Sequence, residues 1–496
     1  MRLELLVICA AIPAIACAQL ENAAFTETGR GAATAFVTDY QALGINPANI
    51  AFGNEYKKKF TLSLGQFGFS NYAEGLTRKQ LTDAIKNTDE ELSVDEQFLA
   101  AQQFTDTRLA MTLNVTALGF AINTKKAGNF AFSMGAKFSH FSVFNNNASD
   151  HLWRGYADPY FDQWIVPGEN GNDTIPNGGS NSADLENVIL GFSSNPGEGS
   201  QLYDGTVIRD LAYAEYNFGY GRSLFSNEKY SVYGGVGVKY LQGYYLLDLT
   251  IENGSVAQAF TASTPGLNID YGSVAATSPS AISGENWESI GDGFGFDLGL
   301  AFELNDKLRI SASVTDIGSI TFDGNVYQTK DTLIYDLESL GLTSYNVFNE
   351  FDVFSGDDGL FQWEGIKEKK VKLPTQFRLG LAYFLSPKIR LGLDVAAPFN
   401  DEPGNIQNLA FAAGLDFIPA AFFRVSAGIG AGDNYDFRIP FGLNFVIGEG
   451  TWEFGISSRD MLYFVRDDKP NLSIAAGFLR FRFGQMTEGS PSRLFS

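Results

Sequence analysis

The side chains that could support acid–base, nucleophilic or metal chemistry are scarce in this chain. Histidine, a common general base and metal ligand, occurs only as His140 and His151. His140 lies on the apolar, lipid-facing side of an alternating segment, "FAFSMGAKFSHF", and His151 lies in a connecting stretch. Neither belongs to a recognisable Ser/His/Asp set, and two histidines are too few for a transition-metal site. The sequence therefore predicts no enzyme activity, no metal and no cofactor.

Thiol chemistry is limited in the same way. Both cysteines, Cys9 and Cys17, fall in an N-terminal segment with the features of a secretory signal. Arg2 precedes an apolar run that ends in small residues, which predicts a signal peptide over 1–18 and cleavage after Ala18. Cleavage before Cys17, as in a lipoprotein, is the alternative. Cleavage after Ala18 leaves a chain without thiols or disulfides.

Composition indicates which elements must position the remaining residues. The chain has 53 Gly, 43 Phe and 21 Tyr, and a formal net charge of −22. No apolar run after the signal has the length of a membrane helix. Abundant glycine and aromatic residues without helical spans favour a transmembrane β-barrel, with a soluble β-sandwich as the alternative. The sign of the charge excludes nucleic acid as a partner.

The pattern of the C-terminal half favours the barrel. Segments of about ten residues alternate between apolar residues and a second face of glycine and charge. In "DGFGFDLGLAFEL", one face carries Phe294, Phe296 and Leu298, and the other carries Asp297 and Glu303. A sandwich would show less glycine on its solvent face. We therefore predict an all-β fold, a transmembrane antiparallel β-barrel of about 14 strands. The predicted strands start near residues 58, 107, 129, 210, 229, 293, 307, 370, 388, 407, 421, 436, 451 and 471.

The connections between these strands alternate between short turns and long loops. The long loops cover 72–106, 145–209, 251–292 and 323–369. Bacterial barrels have short periplasmic turns and long extracellular loops, so we expect these four loops to face the cell exterior. Breaks in the alternation also predict β-bulges, because a one-residue slip reverses every later side chain. The breaks lie at Gly65–Gln66, near Ala117 and at Phe478–Leu479.

The long loops are acidic and rich in aromatic residues. The segment from Leu76 to Phe104 predicts one or two amphipathic helices. Clustered rings could capture a hydrophobic ligand or dock a partner protein, or they could pack on one another as a cap. The candidate capture residues are Trp153, Tyr156, Tyr160, Phe161, Trp164, Tyr345, Phe348 and Phe351.

A Gly- and Ala-rich segment, "GRGAATAFVTDYQALGINPANIAFG", precedes the first strand. Its small residues suit it to fold inside the lumen against a crowded wall. Asn46 can bond its own turn backbone, and Pro47 pushes Asn46 toward an extended conformation. We predict an N-terminal plug or hatch over 19–56, a barrel over 57–485 and a periplasmic tail over 486–496.

This segment is similar to the N-terminus of the FadL family of outer-membrane transporters and of the related PorV-like proteins. The matching residues are Gly29, Gly31, Ala32, Ala33, Ala35, Asp39, Ala42, Asn46, Pro47 and Ala48. The resemblance is strongest to Bacteroidota outer-membrane proteins. It implies fourteen strands, a lumenal hatch, and a path by which hydrophobic molecules leave sideways through the wall.

Two functions follow from the resemblance. One is a passive channel for hydrophobic small molecules in the outer membrane, in contact with its lipid. The other is a non-transporting partner subunit of an outer-membrane secretion or assembly complex, as PorV-like proteins are. The first requires an apolar route, and the second requires a sealed lumen and an apolar docking patch.

A belt of mixed charges is predicted on the inward face near the short turns. The belt consists of Glu303, Arg309, Arg390, Asp416, Arg424, Glu453 and Arg482. Because isolated charges are costly in a narrow lumen, we expect them to pair with each other or with the plug. The plug offers Arg30 and Asp39 as partners, within a motif of Gly29, Arg30, Gly31, Asp39, Asn46 and Pro47.

Overall fold

The computed structural model describes residues 24–86, 91–124, 127–179, 185–345, 362–432 and 435–486. The predicted signal peptide, the first plug residues 19–23, the tail from 487 onward, Phe348 and Phe351 lie outside the described residues.

Fourteen antiparallel strands form a closed barrel. Each strand pairs with the next along the chain. The first pairs with the last, from Lys58 opposite Gln485 to Tyr72 opposite Asn471. This confirms the predicted fold, and the observed starts lie within three residues of the predicted ones except for β8 and β12, which start six and five residues later. The strands are β1 Lys58–Ala73, β2 Arg108–Ile122, β3 Asn129–Val143, β4 Val207–Ser226, β5 Tyr230–Glu252, β6 Gly291–Leu304, β7 Leu308–Phe322, β8 Gln376–Ser386, β9 Ile389–Pro398, β10 Ala410–Ala420, β11 Phe423–Gly432, β12 Phe441–Ile447, β13 Trp452–Ser458 and β14 Asn471–Gln485.

Two strands have a separate first piece. Lys369–Lys372 pairs with the end of β7 ahead of β8, and Tyr435–Arg438 pairs with β11 ahead of β12. The wall is uneven in height, because β5 has 23 residues whereas β13 has 7.

The two faces of the wall differ as the alternation predicts. Leu298 and Leu300 are 52% and 58% exposed on the outer face, whereas Asp297 and Glu303 are buried on the inner face. An apolar outer face on a closed barrel suits contact with lipid, since every backbone group in the wall can pair with a neighbouring strand.

The predicted slips in alternation coincide with irregular pairing. Gly65 adopts a φ of +65° and is skipped in the pairing of β1 with β2. The register of β2 against β3 shifts at Ala117, and that of β13 against β14 shifts opposite Phe478. Each bulge restores the inward and outward assignment of the residues that follow.

Short turns and longer connections alternate, which defines a turn end and a loop end of the barrel. The helices of the connections are Arg78–Lys86, Val94–Phe104, Asn146–Arg154 and Gly199–Leu202, with 3-10 turns at Gly155–Ala157, Leu185–Asn187, Pro265–Leu267, Gly272–Thr277 and Met461–Phe464. The first two confirm the predicted amphipathic helices. A four-stranded sheet at the loop end contains Gln163–Gly168, Gly171–Pro176, Leu190–Glu198 and Leu333–Leu337. The strands Ser255–Ser263, Val326–Thr329 and Trp363–Gly365 extend the barrel sheet above β5. No helix in the described ranges is both long and apolar enough to span a membrane.

Residues 24–56, here called the N-terminal segment, contact the inward side of the wall. The segment contains the short helix Phe25–Thr28 and 3-10 helices at Asp39–Ala42 and Pro47–Phe52. Asn46 is extended and its Oδ1 accepts a hydrogen bond from Ala48 N at 3.0 Å, as its sequence context predicts. This bond caps the second 3-10 helix.

Candidate functional site

The inner wall is made of glycine where it meets the N-terminal segment. A Cβ on Gly414 would lie 2.1 Å from the carbonyl oxygen of Arg30, and one on Gly299 would lie 2.0 Å from Asn46 Oδ1. Both distances are far below a van der Waals contact, so only glycine allows this approach. Similarly close glycines on other strands are Gly119, Gly221, Gly235, Gly380, Gly392, Gly428, Gly442 and Gly477. The inward glycines of the alternation thus accommodate the segment's backbone.

Arg30 is the most buried cation of this interface. Its guanidinium forms ion pairs with Asp416 of β10 and with Glu27 of the segment. Nε donates to the carbonyl oxygen of Ala32 at 2.8 Å, and the guanidinium lies 3.5 Å from the ring centroid of Phe36. Arg30 and Asp416 are both fully buried. A buried charge is tolerated only when it is paired and hydrogen-bonded, and this one is.

Asp39 forms a second ionic attachment. Its carboxylate accepts from Arg480 Nη2 at 2.7 Å, and Arg480 Nη1 also donates to Glu453 at 2.9 Å. Glu453 further binds Arg424 at 3.1 Å and Arg482 at 2.5 Å. Asp39 has a φ of +49°, in the left-handed region. One segment carboxylate therefore joins a network of three arginines and one glutamate on the wall.

Arg309 and Arg390 of the predicted belt also contact the segment, and Glu303 pairs with Arg309. Arg309 Nη1 donates to the Ala35 carbonyl at 3.2 Å, Nη2 bonds Glu303 at 3.3 Å, and the guanidinium lies 3.4 Å from the Phe52 ring centroid. Arg390 Nη2 donates to Glu55 at 2.7 Å. Ion pairs thus link Asp416, Arg424, Glu453 and Arg482, whereas Glu303 pairs with Arg309 and Arg390 pairs with Glu55. We call these three groups of charges, with their segment partners, the ionic layer.

Sequence reasoning missed three members of this layer: Arg480, Glu55 and Glu27. Arg480 was obscured by the slip at Phe478–Leu479, which turns it inward together with Arg482. Counting the alternation again from the slip would have identified Arg480 as inward-facing. Nothing in the sequence identifies Glu55 and Glu27 as partners, because the segment has no regular period.

A second charged cluster lies further along the lumen. Lys239 Nζ is 3.1 Å from Asp297 and 2.5 Å from Asp316, and Lys137 Nζ is 3.1 Å from Glu215. Asp316 has a φ of +59° at a register shift between β6 and β7. The cluster also contacts the segment, since Gly44 N donates to Asp297 at 3.2 Å.

A cavity of about 160 Å³ lies beside this second cluster. Its lining includes Tyr40, Gln41, Leu43, Gly44 and Ile45 of the segment, together with Pro374 and Gly404. Hydroxyl, amide and charged side chains of the wall make up most of the lining. These residues are Gln66, Thr112, Asn114, Thr116, Ser133, Lys137, Ser139, Glu215, Asp316, Gln376 and Arg378. The cavity is therefore lined by a mixture of polar groups and apolar surface.

The chain matches one family model over residues 191–452, and that model describes a family of unknown function, DUF5723. The chain belongs to this family. No curated protein matches it.

Several solved β-barrels are similar to this DUF5723 protein in fold. A mutant of the TodX monoaromatic hydrocarbon channel is 12% identical with a TM-score of 0.46, over 93% of this chain and 98% of that one. The toluene transporter TbuX of Ralstonia pickettii is 13% identical at 0.42, over 92% and 97%. A FadL homologue of Pseudomonas aeruginosa is 13% identical at 0.42, over 95% and 100%.

The candidate capture aromatics of this DUF5723 protein are mostly buried. Trp153, Phe161 and Trp164 have no exposed surface, and Tyr156 is 6% exposed. Tyr160 and Tyr345 are half-buried. The Trp153 ring lies 4.9 Å from that of Phe104 and 5.6 Å from that of Tyr345. The structure therefore places these rings in the packing of the long loops, here called the cap, and not in an open groove.

His151 lies in the same core. Its Nδ1 is 2.7 Å from the Tyr203 hydroxyl, and its Nε2 is 3.2 Å from Asp158 Oδ2. Burial lowers the pKa of His151 to about 3 and raises the pKa of Asp158 to about 7. Below neutral pH the shared proton therefore resides on the carboxyl group, and both side chains are uncharged.

The structure differs from two expectations about His140. It has the outward parity predicted for it, but it is only 6% exposed, because residues of the cap cover this part of the outer wall. It also does belong to a Ser/His/Asp set. Nε2 is 3.0 Å from Ser142 Oγ, and Nδ1 is 2.6 Å from Asp210. Ser142 has no exposed surface, so no substrate can reach its hydroxyl in this conformation.

Metal ligands are not clustered either: no group of three or more His, Cys, Asp or Glu residues suited to a metal ion occurs in the described part of the chain. The DUF5723 protein thus has the fold of an outer-membrane β-barrel with a polar, ion-paired interior.

Proposed function

We propose that this protein is an outer-membrane channel for small molecules whose lumen is closed by the N-terminal segment acting as a plug. The observation that carries the proposal is the glycine face of the inner wall. At the level of Gly299, Gly414 and Gly428, the space inside the barrel is taken up by segment atoms and not by wall side chains.

A barrel of fourteen strands supports this interpretation. Small barrels of about eight strands are filled by their own side chains, whereas wider ones enclose a channel or a separate plug. Here the inward glycines leave room that the segment fills, so withdrawal of the segment leaves a passage lined by the charged side chains of the wall. The attachments at Arg30 and Asp39 are ion pairs that water can replace.

The topology of the proposal follows the expected arrangement. The short turns face the periplasm, the long loops face the exterior, and the plug enters from the periplasmic side after removal of the signal peptide. A hydrophobic cargo, which the resemblance implies, needs an apolar route. The cavity is not a wholly apolar route, because hydroxyl, amide and charged side chains share its lining with apolar ones. The lumen therefore supports a channel more directly than it supports that cargo.

A disulfide lock tests the proposal. Residues 18–496 contain no cysteine. A Cβ on Gly31 would lie 3.6 Å from Ala412 Cβ, within the range of a disulfide of about 3.5–4.5 Å. We expect oxidised G31C/A412C to suppress solute flux in proteoliposomes and reduction to restore it, whereas deletion of 22–50 raises single-channel conductance. G31C alone and A412C alone are the matched controls, because Gly31 has a φ of +78°, at which any side chain is strained.

The same measurements distinguish the channel from the alternative, a non-transporting subunit. Tight packing of the segment against glycine favours that alternative. It predicts equal, negligible flux for the oxidised and reduced lock. A folded deletion variant with unchanged conductance would also contradict the channel, and a stoichiometric protein copurified from native membranes would then identify the partner.

A further inference from the structure

We infer that the lumenal cavity is a binding site for a neutral, hydroxyl-rich small solute of about the size of a hexose. The inference rests on the proposed channel, because it assigns the class of cargo that the passage accepts. The chemistry of the cavity lining favours this class of solute over the hydrophobic cargo that the resemblance implies.

The first argument is the presence of unpaired polar groups. Within the described chain, the side chains of Asn114, Thr116 and Ser133 line the cavity and make no hydrogen bond to other protein groups. Together they offer an amide and two hydroxyls, which can both donate and accept. A hydroxyl-rich solute can satisfy them. An aromatic hydrocarbon would strip them of water and leave them unpaired, at a cost of about 1–3 kcal/mol for each buried group.

The second argument is that the charges around the cavity already have partners. Lys137 is paired with Glu215, and Lys239 with Asp297 and Asp316. With Arg378, which also lines the cavity, the three cations balance the three anions. A charged solute would have to compete with these existing pairs in a confined site, whereas a neutral solute leaves them intact.

The third argument is size and shape. A cavity of about 160 Å³ has room for about five water molecules at roughly 30 Å³ each, which a hexose can replace. The rings of Tyr40 and Tyr213 also border it, and a sugar can pack its C–H groups against them. The Tyr40 hydroxyl donates to Gln66 at 2.9 Å, so this ring is fixed in place. The site therefore combines hydrogen-bonding groups with two aromatic surfaces.

The test compares three ligands on the full-length protein in detergent. Isothermal titration with D-glucose, glucose 6-phosphate and toluene should give binding of glucose and at least tenfold weaker binding of the other two. Asn114→Leu should weaken glucose binding at least tenfold. Val115→Ala, one position along β2 and outward-facing, should bind glucose as the wild type does.

The outcomes are separable from those of the channel proposal. Wild-type binding of toluene without glucose, or equal glucose affinity in Asn114→Leu, overturns the inference even if the disulfide lock controls flux. Glucose binding that Asn114→Leu abolishes, in a protein without flux, supports the site and contradicts the channel. Because binding is measured without reconstitution, a variant with native heat resistance in detergent gels gives a decisive result in either case.

Discussion

At the turn end of the lumen the N-terminal segment is attached by charge, through Arg30 to Asp416 and through Asp39 to Arg480. At the loop end the connections are held by aromatic packing, with Trp153 fully buried in the cap. The wall at the turn end is already fixed by strand pairing, so the segment must find one register against it. Directional ion pairs specify such a register. The loops of the cap pack on one another, and for them non-directional apolar burial is sufficient.

The difference also has an energetic consequence. A buried ion pair adds little stability over an apolar replacement, but loss of one partner is costly because it leaves a buried charge. An apolar core instead loses stability in proportion to the volume removed. We therefore expect substitutions at the turn end to release the segment without destabilising the cap. Substitutions at the loop end should destabilise the cap without releasing the segment.

The largest effect is expected from breaking the charge pairs. Arg30→Met leaves Asp416 without its main partner, and Asp39→Asn leaves Arg480 with Glu453 alone. Each should destabilise the docked segment by about 3–5 kcal/mol. Ion leak in planar bilayers and protease access to residues 24–56 should rise, while the barrel keeps its heat resistance in detergent gels.

Arg222→Ala is the control for this prediction, because Arg222 is an exposed cation of β4. If Arg30→Met and Asp39→Asn both match the wild type in leak and proteolysis, packing against glycine alone holds the segment. The comparison between the two ends would then fail at the turn end.

A similar loss is expected in the cap when its central ring is removed. Trp153→Ala deletes a fully buried indole that contacts Phe104 and Tyr345, and such truncations cost about 3–5 kcal/mol. Pulsed proteolysis should cut the loops faster, and ion leak should stay at the wild-type level. Leu99→Ala, at a half-exposed site on the helix Val94–Phe104, should change neither. A rise in leak would show that the cap and the segment are coupled.

Much of the barrel could be predicted from the sequence because period-two alternation directly encodes which face meets lipid. Even the bulge at Gly65 was visible as a slip in phase. The burial of His140 was not predictable, since it depends on loops distant in sequence that cover the outer wall. Its set with Ser142 and Asp210 was missed for the same reason, as β3 and β4 are separated by a long connection.

The candidate site shows the same difference between features set by the local alternation and features set by distant parts of the chain. Inward charges were predictable from parity, but their partners in the segment were not, because the segment lacks a repeating pattern. The left-handed conformation of Asp316 and the cavity beside it depend on the register shift between β6 and β7. The sequence shows which glycines face inward. It does not show that the N-terminal segment of the same chain packs against them.

An intermediate effect is expected from adding a single methyl group to the inner wall. Gly414→Ala places Cβ about 2.1 Å from a backbone oxygen of the segment, which cannot rotate away. Overpacking of this kind costs about 1–3 kcal/mol and should raise ion leak less than Arg30→Met does. Gly234→Ala meets only the flexible Leu224 side chain and should leave leak unchanged. Equal behaviour of the two variants would contradict a close fit between wall and segment.

The smallest effect concerns pH and distinguishes burial of neutral groups in the cap from charge pairing at the turn end. In the folded cap one proton resides on Asp158, whose pKa is raised to about 7, and His151 stays neutral because burial lowers its pKa to about 3. In the unfolded cap one proton resides on the histidine, whose ordinary pKa is about 6.5, and the aspartate is ionised.

Between pH 5.5 and 6.5 both states of the wild-type cap therefore bind a similar amount, between about half and one proton, and its stability should change little with pH. Asp158→Asn removes the proton bound in the folded state. The unfolded state then binds more protons below pH 6.5, so stability should fall by about 1 kcal/mol from pH 6.5 to pH 5.5. Hydrogen exchange of the helix Asn146–Arg154 measures this change. The double variant His151→Asn, Asp158→Asn should restore the flat profile, since it removes both titrating groups. A sloping profile in the double variant would mean that a different group of the cap titrates in this range. A flat profile in Asp158→Asn would mean that His151 is charged in the folded cap, and the cap would then rely on charge as the turn end does.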